Sequence, residues 1–294
     1  MTFYPESELI LNADGSVYHL GLLPEHIGDT IITVGDPERV AKVSQYFDEI
    51  LIQKSVREFV THTGIYKGKK ITVISTGIGT DNIDIVFNEL DALVNIDLKT
   101  RTEKTEHHSL NIIRIGTSGS LQEDIEVDSI LASSYGVDLG PLQHFYPTTD
   151  QDNLTLEIKD NFQKVLTQEG MHIPIAVTPA STFLLDKIAK GFHRGITLTA
   201  PGFYGPQGRS LRGKSTLKES FFSAMSTLSI QGHRVTNFEM ETAGIYTMAA
   251  LLGHRALSIN LILANRQSKK FSTQGSEGME SLILDVLNRI VTEL

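Results

Sequence analysis

Apolar residues recur along this chain in two alternating periods, and glycine marks many of the points where one gives way to the other. In "DTIITVGDPERVAKVSQYF" a β-branched run ends at Gly35, a proline opens a helix, and apolar residues return at helical spacing. The pattern predicts a strand, a turn and a helix. "REFVTHTGIYKGKKITVISTGIG" predicts a hairpin turned at Gly68 whose second strand runs into glycines. The residues that follow place Ile83, Val86, Phe87, Leu90 and Val94 on one face of a helix.

Further along, "LNIIRIGTSGS" and "VDSILASS" predict strands, a helix is predicted from about Leu156 to Gln168, and "HIPIAVTPAS" returns to strand character. "HRGITLTAPGFYGPQGRSLRG" breaks the rhythm, with glycines and prolines among aromatics and arginines, the composition of a functional loop. "VTNFEMETAGIYTMAALLGH" predicts a short strand passing into a helix capped by Gly253; "ALSINLILANR" predicts a buried strand and "GMESLILDVLNRIVTEL" a closing helix. Residues 1–18 read as a polar N-terminal extension. The segment 97–109, "DLKTRTEKTEHHS", has no apolar period and predicts an exposed insertion of poor order. With no internal repeat, the sum is a single α/β domain over residues 1–294, a mixed sheet with helices packed on it.

Composition narrows the chemistry. With 40% apolar and 21% charged residues in 294, the chain can bury a large core. It shows neither a long apolar run nor a basic, apolar leader, so no membrane partner is expected and the expected compartment is the cytoplasm. The absence of cysteine excludes disulfides, thiol nucleophiles and zinc-thiolate sites. A net charge of -9 argues against nucleic acid as a ligand, so any anion site must be local.

Ligands of α/β sheets collect outside the carboxyl ends of strands, and three glycine-bearing turns fall there. Gly35 exposes backbone N–H groups at a helix start, with Arg39 one turn in; the plain alternative is a turn beside a solvated arginine. Arg114, Thr117, Gly116 and Gly119 together suit a phosphate-sized oxyanion, and equally a buried arginine paired to a carboxylate. Arg57 fits an anion site or a surface salt bridge. Glu239 and Glu241 alternate, so an extended segment points both to one side, about 7 Å apart. They suit the vicinal hydroxyls of a sugar, acid and base work, or a solvated strand end. Phe203, Gln207 and Arg209 offer a flat face, a donor with an acceptor, and a pure donor, a match for a base bearing carbonyl and imide groups. His19 alone reads as a polar surface residue.

Taken in order, "GDPERV", "REF", "STGIG", "RIGTSGS", "PQGR", "NFEMETAGIY" and "ANR" resemble the nucleoside phosphorylase superfamily, most closely its uridine phosphorylase branch, from about His19 to the last helix. The resemblance implies a twisted mixed sheet, partly barrel-like, flanked by helices. It implies reversible phosphorolysis, uridine plus phosphate giving uracil and ribose 1-phosphate, with phosphate as co-substrate and no cofactor. Gly35, Arg39, Arg114 and Thr117 correspond to the phosphate site, and Arg57 reaches into the pocket of a neighbouring subunit. Glu241, Met240 and Thr117 correspond to the ribose site, with His19 of the neighbour on the 5′-hydroxyl and Glu239 in support. Phe203, Gln207, Arg209 and Gly119 correspond to the base pocket, buttressed by Arg266; Arg39, Arg57, Arg114 and Arg209 are the implied catalytic group. The implied assembly is a homo-oligomer with active sites shared across a dimer interface. Two departures stand out: the length of segment 97–109, and Asn82 where a serine is usual in a monovalent cation site that also uses Glu58, so no metal is expected. Rival expectations are a purine or broad-specificity phosphorylase, a nucleosidase lacking the phosphate arginines, and a catalytically idle nucleoside-binding protein.

Overall fold

In chain order the computed structural model, which describes residues 2–147 and 151–294, runs β1 (Thr30–Val34), α1 (Pro37–Ser44), β2 (Glu49–Val56), β3 (Phe59–Tyr66), β4 (Lys69–Ser75) and α2 (Thr80–Asn95). The small hairpin strands β5 (Ile96–Asp97) and β6 (Thr102–Glu103) follow, then β7 (Asn111–Ser120), β8 (Ile130–Asp138), α3 (Asn153–Gln168), β9 (Ala176–Pro179) and α4 (Thr182–Ile188). The last third contains β10 (His193–Thr199), α5 (Glu219–Thr227), β11 (Ser229–Ile230), β12 (His233–Glu239), α6 (Thr242–Leu251), β13 (Arg255–Asn265), β14 (Lys270–Phe271) and α7 (Gly275–Glu293).

Hydrogen bonding joins twelve strands into one mixed sheet, and the β12–β7 pairing closes β7, β13, β8, β10 and β12 into a ring. Beyond β7 the sheet continues through β1, β4, β3 and β2 as an open wing. β1, β4, β7 and β13 run parallel, so their carboxyl ends open on one side. β12 meets β7 antiparallel only at the ends of both strands, Asn237 opposite Ser120 and Phe238 opposite Gly119. This closure brings the end of "RIGTSGS" to the start of "NFEMET".

The core follows from the patterning. β1 is buried along its whole length, as expected of a β-branched run with neighbours on both faces. α2 buries Ile83, Val86, Phe87, Leu90 and Leu93, whereas Val94, placed on that face by the spacing, is only half-buried. α6 is buried from Thr242 to Ala249, which matches a helix apolar on all sides and packed between α2 and the ring. A second apolar cluster, including Phe162, Phe221 and Phe238, lies on the ring under α3 and α5.

Several sequence expectations are corrected. "HRGITLT" is the buried strand β10 of the ring, and the irregular stretch begins only after it. α3 starts at Asn153, ahead of Leu156, because the Asp152 side chain accepts from the Thr155 N–H at 2.8 Å and caps it. β2 has no counterpart in the apolar pattern, being an edge strand with five of its residues exposed. Residues 97–109 are mostly exposed but not formless: β5 and β6 form a hairpin, and the Asp97 carboxylate accepts from the Lys99 and Thr100 N–H groups at 2.9 and 3.1 Å.

Candidate functional site

Gly35 follows β1 directly, and the Asp36 side chain accepts from the Glu38 N–H at 2.9 Å, starting α1 with Pro37 in its first turn. Arg39 stands one turn into α1 and sends Nη1 back to the Ile115 carbonyl of β7 at 3.3 Å. It makes no ion pair among the described residues. Burial and the charge of Arg114 hold its pKa below the ordinary guanidinium value.

Arg114 is buried within β7. Its Nη2 donates to Glu241 Oε2 at 2.5 Å and lies 3.4 Å from Glu239, while Nη1 donates to Asn260 Oδ1 at 2.8 Å. The guanidinium folds back over Gly116, where an added Cβ would lie 1.8 Å from Nη1. In a strand, residues two apart share a face, so the local sequence "RIG" itself supplies the room for the arginine. Burial works against the charge, yet Glu241 and Glu239 outweigh it and raise the Arg114 pKa. The paired-arginine alternative is therefore what the structure contains, with the unpaired Arg39 beside it. Thr117 and Gly119 lie half-buried farther along the same strand.

The two glutamates divide their tasks. Glu239 accepts from the Thr199 hydroxyl at 2.6 Å and from the N–H groups of Glu241 and Thr242 at 2.9 Å each, so it holds the entrance to α6. Glu241 accepts from Arg114 on Oε2 and from the Gly79 N–H on Oε1 at 2.7 Å. Met240, between them, is half-buried.

Phe203, Gln207, Arg209 and Arg266 form a second group. Gln207 is buried in a tight turn closed by Gly208 at φ 73°. Arg209 Nη1 donates to Gln207 Oε1 and to the Phe203 carbonyl at 2.6 Å each, and its guanidinium lies 3.8 Å from the Phe203 ring centre. Arg266 donates to the Gln207 carbonyl at 2.7 Å and stacks on Phe222 at 4.0 Å. Burial lowers the pKa of both arginines, and Arg209 lowers that of Arg266 further. Neither has a carboxylate within ion-pair distance among the described residues. The result is a positive field whose nearest carboxylate influence, Glu219 on Arg266, acts from beyond ion-pair distance.

Among the described residues, neither His19 nor Arg57 makes a hydrogen bond or ion pair to a member of either group. Glu89 accepts from the main-chain N–H groups of His19 and Leu20 and lies 2.7 Å from His19 Nδ1. His19 lines a surface groove of about 470 Å³ with Tyr18, Asp84 and Glu89, to which Arg39, Arg114, Glu241 and Arg209 contribute nothing. Arg57 is exposed on the β2–β3 turn, its guanidinium 5.8 Å from the Tyr18 ring centre. Beside that turn, Asn82 Nδ2 donates to Glu58 Oε1 at 3.2 Å.

Sequence reasoning did not single out the Gly79 N–H, Thr199, Asn260 or Asp138. The polar Asn260 within the otherwise apolar "INLIL" is a signal that could have found one of them. Asp138, at the end of β8, accepts from the Gly140 N–H at 2.7 Å with Oδ1, while its buried Oδ2 has no partner. Burial pushes its pKa up to about 6.

The phosphorylase superfamily model matches residues 29–292. A uridine phosphorylase of Thermococcus kodakarensis is 31% identical over 264 residues, 90% of this chain and 83% of that one. A DeoD-type purine nucleoside phosphorylase of Clostridium perfringens is 30% identical over 251 residues, 82% of this chain and 83% of that one. The crystal structure of a Trypanosoma brucei nucleoside phosphorylase, described as showing uridine phosphorylase activity, superposes with a TM-score of 0.88 at 29% identity, covering 97% of this chain and 100% of that one.

Proposed function

Since the chain belongs to the phosphorylase superfamily, we propose that it is a nucleoside phosphorylase acting on uridine, which it splits with inorganic phosphate into uracil and ribose 1-phosphate. One observation carries the pyrimidine assignment: Arg209 is fixed on Gln207 Oε1 at 2.6 Å while Arg266 holds the Gln207 main chain. That pair presents an amide and a guanidinium, the donors and acceptor that uracil's two carbonyls and N3–H require. Phe203 supplies the flat wall.

The chemistry asks for opposite fields at its two ends. Breaking the C–N bond builds positive charge on the sugar and negative charge on the departing base. Arg209 and Arg266, without an ion-pair partner, stabilise the base as its charge grows. At the other end Arg39 and Arg114 hold a phosphate dianion with the Gly35 turn and Thr117, and the dianion both stabilises the sugar cation and attacks it. Glu241 takes the ribose hydroxyls with Met240 beside it. Each carboxylate oxygen keeps a lone pair free after its bond to Arg114 or Gly79, so the sugar need not displace either. Orientation of C1′ over the phosphate supplies a further part of the rate. No step needs a cofactor or a covalent enzyme intermediate.

His19 and Arg57 complete the site of a neighbouring subunit in a homo-oligomer. Within one chain neither makes a hydrogen bond or ion pair to the Arg114 or Arg209 groups among the described residues, which supports this arrangement. Base release from uridine, thymidine, inosine and adenosine, followed by chromatography, tests the specificity. Uracil released far faster than any purine supports the assignment, and cleavage of inosine or adenosine at a comparable rate replaces it with a purine or broad-specificity enzyme.

A further inference from the structure

Away from the groups just described, three metal-ligating side chains converge where the 97–109 segment returns to the sheet. Asp91 comes from α2, His107 from the segment itself and His254 from the turn between α6 and β13. One ligand atom of each lies within 4.8 Å of the other two. We propose that Asp91, His107 and His254 bind a divalent transition cation of the zinc type, which ties the 97–109 segment to the body of the protein.

His254 carries the inference. Its side chain is 0% exposed, and Nε2 lies 3.2 Å from Asp91 Oδ1. Despite that distance, Nε2 forms no hydrogen bond to any described group, because the direction is wrong for one. A buried polar atom without a partner costs about 1–3 kcal/mol, so such an atom within 4.8 Å of two other ligand groups calls for an occupant.

The other two donors are held ready. His107 Nε2 faces the Leu252 carbonyl at 2.9 Å, which keeps the ring proton on Nε2 and leaves the Nδ1 lone pair free. A carbonyl behind a ligating imidazole is the usual outer support of a metal histidine. Asp91 Oδ1 accepts from Asn95 Nδ2 at 2.6 Å, which orients its carboxylate. The two imidazoles stand 5.9 Å apart between centres, inclined by 30°, with a ligand atom of each within 4.8 Å of the Asp91 carboxylate.

Ligation carries one local cost. The Leu110 N–H points at His254 Nδ1 from 3.2 Å, and an ion on Nε2 moves the ring proton to that nitrogen, so this contact must open. It lies at the long end of the hydrogen-bond range, and three metal–ligand bonds outweigh it. Two imidazoles and a carboxylate favour zinc, cobalt or nickel over magnesium or calcium, which prefer oxygen. Three protein ligands leave a coordination position for water.

The test uses the full chain, stripped with chelator and titrated with Zn²⁺ by calorimetry in phosphate-free buffer, then with Co²⁺ by visible absorption. Expected are one equivalent per chain at micromolar affinity or tighter, cobalt d–d bands, and a higher Tm with metal but not with Mg²⁺. His107→Ala removes an exposed ligand without opening the core, and Asp91→Asn removes the charge. Each should weaken binding at least tenfold and abolish the metal-dependent rise in Tm. Absence of a stoichiometric site in the wild type, or wild-type affinity in both variants, overturns the assignment.

Discussion

Arg114 and Glu241 meet inside the protein at 2.5 Å, one from the middle of a sheet strand and the other from the mouth of a helix 127 residues later. The contact fixes the phosphate end of the proposed site against its sugar end. It also ties the burial of each charge to the other, with Glu239 at 3.4 Å as the further counter-charge of Arg114.

Glu241→Ala is therefore expected to lower stability by about 3–5 kcal/mol as well as to abolish turnover. Urea denaturation of the variant checks the first effect. The double variant Arg114→Met/Glu241→Ala should recover part of that loss while remaining inactive, because it removes both charges; a double variant less stable than the single one would contradict the pairing argument.

Arg209→Ala should lower turnover of uridine by about 10²–10³-fold, the usual effect of removing one donor from a developing anion. Its place at the base end of the proposed site, bonded to Gln207 and Phe203, implies an unchanged affinity for phosphate. Steady-state kinetics with phosphate varied separates the two, and equal losses in both would place Arg209 at the wrong end of the substrate.

Gly208→Ala probes the same pocket through the main chain. The residue sits at φ 73°, and an added Cβ would lie 2.3 Å from the Phe222 ring. Strain of about 1–3 kcal/mol is expected, released by displacing the turn that carries Gln207. Loss of uridine turnover with retained phosphate binding is the predicted pattern.

Asp138 gives a pH prediction. Its folded pKa of about 6 lies above the ordinary 3.8, so between those values the folded protein holds a proton that the unfolded chain has released. Stability from this group is full below the lower value and falls as pH rises to the upper one, by about 3 kcal/mol. Asp138→Asn keeps the acceptor for Gly140 and cannot ionise. Between about pH 4 and pH 7 the stability difference should move by about that amount in favour of the variant, as measured by urea denaturation across the range; a difference independent of pH would remove the assigned shift.

Sharing of the site between subunits predicts complementation. Mixed oligomers of inactive His19→Ala and inactive Arg209→Ala chains should regain part of the wild-type activity, since some pockets then receive both intact contributions. Verified mixed oligomers without recovery would place His19 outside catalysis.

The parts of this architecture legible in the sequence were those written locally. The β1 strand with its Gly35–Asp36–Pro37 helix start, and the Arg114-to-Gly116 spacing that makes room for a guanidinium, are each contained within a few residues. β10 was hidden because its "HRGITLT" run adjoins a proline- and glycine-rich loop, and its burial depends on ring neighbours that come from elsewhere in the chain. β2 was hidden for the opposite reason, since an exposed edge needs no apolar alternation. The Gly79 contact to Glu241 spans 162 residues and exists only once the sheet has closed, so no local pattern announces it. Likewise "EMET" states that two carboxylates share a side, while the division into a helix-entry holder and an arginine partner emerges from the packing of Thr199 and Arg114 around them.

The measurement that reaches the proposed reaction most directly is phosphorus NMR of the enzyme with uridine and inorganic phosphate, run beside a phosphate-free control in which free uracil is followed. Ribose 1-phosphate growing in step with uracil, and no uracil in the control, is the outcome expected if Arg39 and Arg114 hold the attacking dianion. Uracil released equally well without phosphate, with no sugar phosphate formed, would make water the nucleophile and contradict it.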